Sequence, residues 1–522
     1  MNNSRQIKIG AFLSYTQMGL GIVVNLLYIP LMIRILGQAE YGLYSVVSST
    51  ISMLSILNLG FSSSFIRYYS KYKKKNDYVG IAKVNGLFLL IFSVIGLIAL
   101  MCGLFLTNNL ELVFENGLTV AEYEKARILM LLLTINLTIS FPMTVFTNII
   151  TANERFIFLK LLAVIKTVCS PLLSIPLLLS GFGLVSIVVV TLTVSVTIDC
   201  IYLYYCFRRL SARFIFRDFE KGMLKDIIVF TSFVAINIVV NQINLNIDPI
   251  LLGRFKGTEI VAVYAIAQTL YTYFQMFSTS ISSLFTPRVY RLVNDYQGEE
   301  QNEKLTEIFV KVGRIQFLIL SLICTGIVFF GKSFIVNYWA DENYTDSYYV
   351  LLLLAIPSMI PLTQNVGIEI QRAENKHKFR SIAYLIMAIF NLILSIFLCQ
   401  SYGAIGCAVG TCLSLLLANG LIINIYYHKK CNINILSYWK NILRMSVGLI
   451  IPVIAGSAIM IFVNTDRLIV FIPLVLVYTI IYLVSMWLFA MNGEEKQMIR
   501  AFAGKMGFKR KNQRDKTDEN NQ

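Results

Sequence analysis

Charged residues are scarce in this sequence. Asp, Glu, Lys and Arg make up 14% of its 522 residues, against about 25% in a soluble globular chain. That shortage excludes an ordinary water-soluble enzyme. Histidine is scarcer still: only His377 and His428 occur, in polar loops with no ligand partners nearby. There is no HExxH, no CxxC pair and no GxSxG elbow, which argues against zinc hydrolases, thiol–disulfide exchange and hydrolase-type nucleophiles. The nine cysteines lack metal or redox spacing, and Cys102, Cys169, Cys324 and Cys399 fall in apolar runs as small hydrophobes. No metal and no cofactor is expected, and the protein is expected not to be an enzyme. Acidic residues number 29 against 45 basic ones, a net charge of +16. In a soluble protein that surplus suggests nucleic acid, but most of this chain cannot be in water. Neither nucleic acid nor nucleotide is therefore an expected partner.

Apolar residues are abundant instead: 57% of the chain, with a mean hydropathy of +0.68. They form runs of about 20 residues, the length that crosses a bilayer. Fourteen candidate spans lie near 9–33, 42–65, 83–106, 127–150, 158–180, 184–206, 227–251, 260–285, 310–330, 348–368, 380–399, 403–427, 442–463 and 468–490. Helix is expected throughout, because a span in lipid must satisfy its own backbone hydrogen bonds. Turns fall at Gly181-Phe182-Gly183, Ser401-Tyr402-Gly403 and Asn464-Thr465-Asp466. The first run is too long for a cleaved signal peptide and has no small-residue cleavage site, so it is expected to remain as a span.

With the N-terminus placed in the cytoplasm, 37 of the 45 Lys and Arg fall in cytoplasmic segments and 7 in outer ones. Lys166 lies within a span. That bias places both termini in the cytoplasm and favours an even number of spans. Trp339, Trp439 and Trp487 fall at span ends, as an aromatic belt would.

An internal repeat runs through the first twelve spans. Asn25 and Pro30 recur as Asn244 and Pro249, 219 residues later; Arg34, Gly37 and Tyr44 recur as Arg254, Gly257 and Tyr264 at an offset of 220. Pro142 and Pro361, Gly183 and Gly403, and the loops 152–155 and 373–376 keep that register within two residues. The offset covers six spans, so both halves share one orientation and are related by a pseudo-two-fold axis along the membrane normal. The expected organisation is a six-helix lobe at 1–210, a cytoplasmic linker at 211–226, a second six-helix lobe at 227–428, two added spans at 429–491 and a basic tail at 492–522.

Residues 326–333 satisfy the P-loop pattern GxxxxGK[ST], but the four spacer positions are apolar and the segment ends a span. A working P-loop joins a strand to a helix in water, so the match is set aside. Polar residues within spans carry more information, since each must face a cavity or a partner. Asn237, Asn241, Asn244 and Asp248 are spaced 4, 3 and 4 on one helical face. Ser14, Gln17, Gly21 and Asn25 form the corresponding stripe in the first span, with Arg34 beyond its end. Either the two stripes face a central cavity or they join helices by hydrogen bonds. Arg34 and Arg254 are anion ligands or snorkelling cations. Lys166 and Asp199 lie at one depth, about 7–8 residues or roughly 10–12 Å from their span ends, as an ion pair or as a headgroup or proton site. Gly403, Ala404, Gly406 and Gly410 form a small-residue face suited to close packing.

The run NLLYIPLMIRILGQAEYGLY at 25–44, LNLGF at 57–61, DPILLG at 248–253 and VY at 263–264 resemble the polysaccharide-exporter (Wzx-type) branch of the multidrug/oligosaccharidyl-lipid/polysaccharide exporter superfamily. The resemblance covers the chain except its tail. It implies an all-α polytopic fold with two six-helix lobes around a cavity, plus two C-terminal helices. It also implies a flippase that moves undecaprenyl-pyrophosphate-linked oligosaccharide across the bacterial inner membrane by alternating access, for O-antigen, capsule or exopolysaccharide. Partners would be that lipid-linked sugar, membrane lipid, and the polymerase and chain-length machinery of its pathway. On this reading Arg34, Lys166 and Arg254 bind the anion; Asn25, Asn237, Asn241 and Asn244 bind the sugar; Asp199 and Asp248 couple ions or protons. Lipid II flippases of the superfamily carry extra arginines midway along the first helix, and residues 22–28 have none. The alternatives are a cation-coupled multidrug antiporter of the same superfamily and a membrane polysaccharide polymerase or glycosyltransferase.

Overall fold

Each apolar run forms helix, and the ends fall where the sequence offers turns. A computed structural model of the chain describes residues 3–114, 118–219, 222–463, 465–498 and 500. The expected tail beyond 500, Asn464 of the expected turn and residues 220–221 of the expected linker lie outside the described residues. Among the described residues the structure is helical, without strands. In order, the α-helices are α1 (Asn3–Leu36), α2 (Gln38–Met53), α3 (Phe61–Lys74), α4 (Tyr78–Asn108), α5 (Val120–Ala152) and α6 (Phe156–Leu179). They continue with α7 (Gly183–Arg209), α8 (Met223–Phe255), α9 (Thr258–Asp295), α10 (Gly298–Ser333), α11 (Thr345–Thr363) and α12 (Val366–Ala373). The last are α13 (His377–Leu415), α14 (Asn424–Lys429), α15 (Ile435–Ser446), α16 (Ile450–Phe462) and α17 (Leu468–Ser485).

Thirteen helical segments among the described residues are long and apolar enough to cross a membrane. The difference from fourteen has one origin. The segment Lys378–Lys429, 52 residues long, holds the two expected spans at 380–399 and 403–427 and breaks at Gly403, where φ is 56° and ψ −131°. Its two arms pack tightly through the small-residue face: a Cβ on Gly406 would lie 2.2 Å from the carbonyl oxygen of Leu398.

The repeat is visible in the backbone. Left-handed residues recur at its register as Gly37 and Gly257 (φ 82° and 87°), Gly183 and Gly403 (65° and 56°), and Glu154 and Asn375 (58° and 57°). Residues other than glycine are uncommon in that region, although asparagine enters it more readily than most, so two such residues at matching turns mark a shared backbone path.

The chain divides into two compact units. The first comprises Met1–Met276, Ile335–Ser358 and Asn375–Ile423. Helix α4 shows its construction. Phe88, Phe92 and Ala99 are buried against α5 and α3, where Phe88 meets Phe65 edge-on at 5.3 Å. Val94, Leu97, Met101 and Phe105, spaced 3, 4 and 4, are each more than half exposed. An outward apolar stripe of that length would be an association hazard in water; in a bilayer it is the lipid face.

The second unit comprises Phe277–Phe334, Met359–Glu374 and Asn424–Gln522. Here α15, α16 and α17 pack on α10. The buried Arg314 holds Glu495 through two charge-assisted bonds of 2.7 and 2.8 Å and donates to Ala490 O at 3.0 Å. Lys311 holds Glu494 at 2.7 Å. The false P-loop at 326–333 lies wholly within α10, so no phosphate-cradling loop exists there.

Candidate functional site

Within the first unit, two cavities are walled by polar side chains with no charged residue in their lining. The larger, about 470 Å³, is bounded by α1, α2, α8 and the first half of α9. From α2 come Tyr41, Tyr44, Ser45, Ser48, Ser49 and Ser52. The serines recur at i, i+3, i+4 and i+7, so one face of the helix presents four hydroxyls. Asn25 and Tyr28 of α1, Asn246 of α8, and Gln268, Thr269, Thr272 and Tyr273 of α9 complete the lining. Such a wall offers many donors and acceptors and several aromatic faces, with no fixed charge.

The smaller cavity, about 230 Å³, lies among α8, α9 and the two arms of α13. Asn241 and Asn244 of α8 line it together with Tyr271, Gln275, Asn391 and Thr411. Beside it sits Asp248, 1% exposed. Tyr264 donates to its Oδ2 at 2.5 Å and Thr411 at 3.0 Å. Thr411 in turn accepts from Asn391 at 3.2 Å, whose Oδ1 accepts from Ser395 at 3.2 Å. A buried carboxylate is tolerated only where such donors replace water, and here they tie α8 to α9 and both arms of α13.

The remaining expected site residues are placed as follows. Asn25 lines the larger cavity and Asn241 and Asn244 the smaller, so the two stripes do not share one cavity. Asn237 is exposed and accepts from Ser381 at 3.1 Å. Arg34 is exposed and Arg254 half-buried; Arg34 donates to Tyr338 O at 3.2 Å and Arg254 to Leu112 O at 3.4 Å. Neither lines either cavity. Lys166 of α6 is exposed and Asp199 of α7 half-buried. They are near enough to interact electrostatically, but they are not among the ion pairs under 4.0 Å. No group of three His, Cys, Asp or Glu that could hold a metal ion occurs among the described residues.

Two prolines shape the cavity helices. Proline has no N–H, so Pro30 of α1 and Pro249 of α8 each leave the carbonyl four residues earlier without its helical partner. Those carbonyls belong to Leu26 and Leu245, which are repeat mates. Trp339 donates its indole N–H to Leu26 O at 3.0 Å, and Gln268 donates its side-chain amide to Leu245 O. Trp339 is only 2% exposed; it is a buried hydrogen-bonding anchor and not the lipid-facing belt residue expected from its place at a span end.

Sequence reasoning passed over the α2 serines, although their spacing was available. Hydroxyls are common in membrane helices, where they bond back to their own backbone, so the spacing alone carries little weight. For Asn391 and Thr411 no local signal existed, because Thr411 bonds Asp248, and Asn391 bonds Thr411, from more than 140 residues beyond the acid.

Residues 10–293, more than half of the chain, match the family described as polysaccharide biosynthesis protein. Comparison with curated proteins finds no match. Among solved structures the chain is similar to the lipid II flippase MurJ in an inward closed conformation: 18% identity, TM-score 0.64, 92% of this chain and 98% of that one. It is also similar to an inward-facing multidrug resistance MATE family transporter of the MOP superfamily, with 16% identity, TM-score 0.59, and coverage of 81% and 96%. A Vibrio cholerae MATE transporter gives 15% identity, TM-score 0.52, and coverage of 84% and 99%. At such identities the likeness concerns the fold. The chain therefore belongs to the polysaccharide biosynthesis protein family, and its fold is that of the MOP superfamily transporters.

Proposed function

We propose that this protein is a flippase for lipid-linked oligosaccharide, moving undecaprenyl-pyrophosphate-linked repeat units across the bacterial inner membrane by alternating access. The observation that carries the reading is the uncharged, hydroxyl- and tyrosine-rich wall of the larger cavity. Sugars present hydroxyls that both donate and accept, and flat C–H faces that stack on aromatic rings; the wall supplies partners for both. A cationic drug would call for a carboxylate, and none lines the cavity. The prenyl chain can remain in lipid while the sugar crosses. Lys166, Arg34 and Arg254 are assigned to the pyrophosphate, and Asp248 and Asp199 to ion or proton coupling. The family match to polysaccharide biosynthesis supports the substrate class.

The test is reconstitution into liposomes with a labelled lipid-linked oligosaccharide, scored by loss of access to a membrane-impermeant lectin. Transport is expected, and replacing Ser45 and Ser48 by Val is expected to slow it at unchanged protein levels. Absence of flipping together with gradient-driven efflux of cationic dyes would replace this reading by the multidrug antiporter. Sugar transfer by the purified protein would replace it by a polymerase or glycosyltransferase.

A further inference from the structure

A third polar cavity, about 640 Å³, stands apart from the two above, at the end of the helices where Lys and Arg concentrate. The last turn of α3, the first turns of α4, the end of α5 and the segment after α7 enclose it. That segment is firmly placed. The amide N–H of Ile215 donates to Ala82 O at 3.0 Å, and Asn85, 1% exposed, donates to Arg213 O at 3.0 Å. Gly86 makes the approach possible: a Cβ there would lie 2.1 Å from Ile215 O. Arg213 is therefore held at the cavity by its backbone, while its guanidinium forms no ion pair among the described residues.

Lys73 lines the same cavity. Its ammonium donates to Ala152 O at 3.0 Å and Asn153 Oδ1 at 2.9 Å, both neutral acceptors, so one N–H and the full charge remain. No carboxylate lines the cavity; Glu154, the acid that acts on Lys73 electrostatically, is outside the lining. Asn153 is itself held by Tyr69 Oη at 2.8 Å. Two cations, neither of them in an ion pair under 4.0 Å among the described residues, thus line one cavity whose other polar side chains are neutral.

The geometry points to a phosphate-binding pocket, in which Arg213 and Lys73 take a phosphate or pyrophosphate group. The fork of the guanidinium can bind two phosphate oxygens, and Lys73 serves as a point charge beside it. The group can come from an anionic lipid headgroup at the membrane surface or from a free anion in solution. This site uses none of the residues assigned to transport above.

The full-length protein in phosphatidylcholine nanodiscs would be titrated with inorganic pyrophosphate by calorimetry. In parallel, native mass spectrometry would score phosphatidylglycerol retained from mixed nanodiscs. Binding of pyrophosphate alone identifies a soluble anion, and retention of phosphatidylglycerol identifies a headgroup. Arg213→Gln should weaken the binding about tenfold or more, and Lys73→Gln should act in the same direction. Arg213→Gln keeps the backbone anchor and so should leave the thermal unfolding midpoint unchanged. Arg217→Gln, an exposed cation on the same segment outside the cavity, should change nothing. The proposal fails if the wild type binds neither probe, if Arg213→Gln has no effect, or if Arg217→Gln weakens binding equally.

Discussion

Helices α1 and α8 carry a proline at the same place in the repeat, and the carbonyl each proline releases is caught in different ways. In α1 the donor is Trp339, buried and 313 residues away. In α8 the donor is Gln268, only 23 residues away on the next helix, at the edge of the larger cavity. The residue before each proline differs as well. In α1 it is Ile29, half-buried at the cavity wall, and in α8 it is Asp248, buried and bonded to Tyr264 and Thr411. One backbone plan thus serves two ends. At the residue before the proline, the first copy opens on a cavity, while the second closes around a carboxylate network. The lesson is that a repeat conserves the defect in the helix and leaves its repair free to diverge.

Removing the acid should give the largest effect. Asp248→Ala strands the hydroxyls of Tyr264 and Thr411 and should lower stability by about 3 kcal/mol, whereas Ile29→Ala should lower it by about 1 kcal/mol because the site opens on a cavity. Thermal unfolding in detergent reads both; equal losses would mean that the two copies are not specialised. Next comes Trp339→Phe, which keeps the aromatic body and deletes the indole donor. Leaving Leu26 O unmet should cost about 2 kcal/mol, and amide exchange in α1 around Pro30 should quicken. Unchanged exchange there would show that the bond does not hold the helix.

Gln268→Leu should have a smaller effect, about 1 kcal/mol, since water in the adjoining cavity can reach Leu245 O. A loss as large as that of Trp339→Phe would erase the difference between buried and cavity-side repair. The finest test is a double-mutant cycle. Pro30→Ala restores an N–H that can take Leu26 O, so Trp339→Phe in that background should lose less, with a coupling of about 1 kcal/mol. Additive losses would place the indole's role elsewhere.

Much of this arrangement could be read in advance, for reasons particular residues make clear. Pro30 and Pro249 stood 219 residues apart, and Gly37 and Gly257, like Gly183 and Gly403, 220 apart, and all three pairs occupy matching backbone positions. Proline and glycine announce themselves because their constraints are local. The face formed by Asn241 and Asn244 was legible for the same reason: helix spacing alone places them together. Asn25 was expected to join them and instead lines another cavity with α2, because helical spacing says which residues share a face and nothing about what the face meets. Arg34 and Arg254 stood out as cations in an apolar setting, yet each reaches a backbone carbonyl of a short helical turn. No rule of spacing could have named Tyr338 or Leu112 as the acceptor.

Composition and order along the chain therefore determined that this protein is a many-helix membrane protein with a duplicated half, because a bilayer selects on average polarity over about 20 residues, and turns depend on the residues within them. Which side chains close around Asp248, which wall of hydroxyls faces Asn25, and how Arg213 comes to stand beside the same cavity as Lys73 were decided by tertiary structure alone. Those groups are brought together by packing of segments far apart in sequence, and the directional bonds they make depend on distances that no linear pattern encodes.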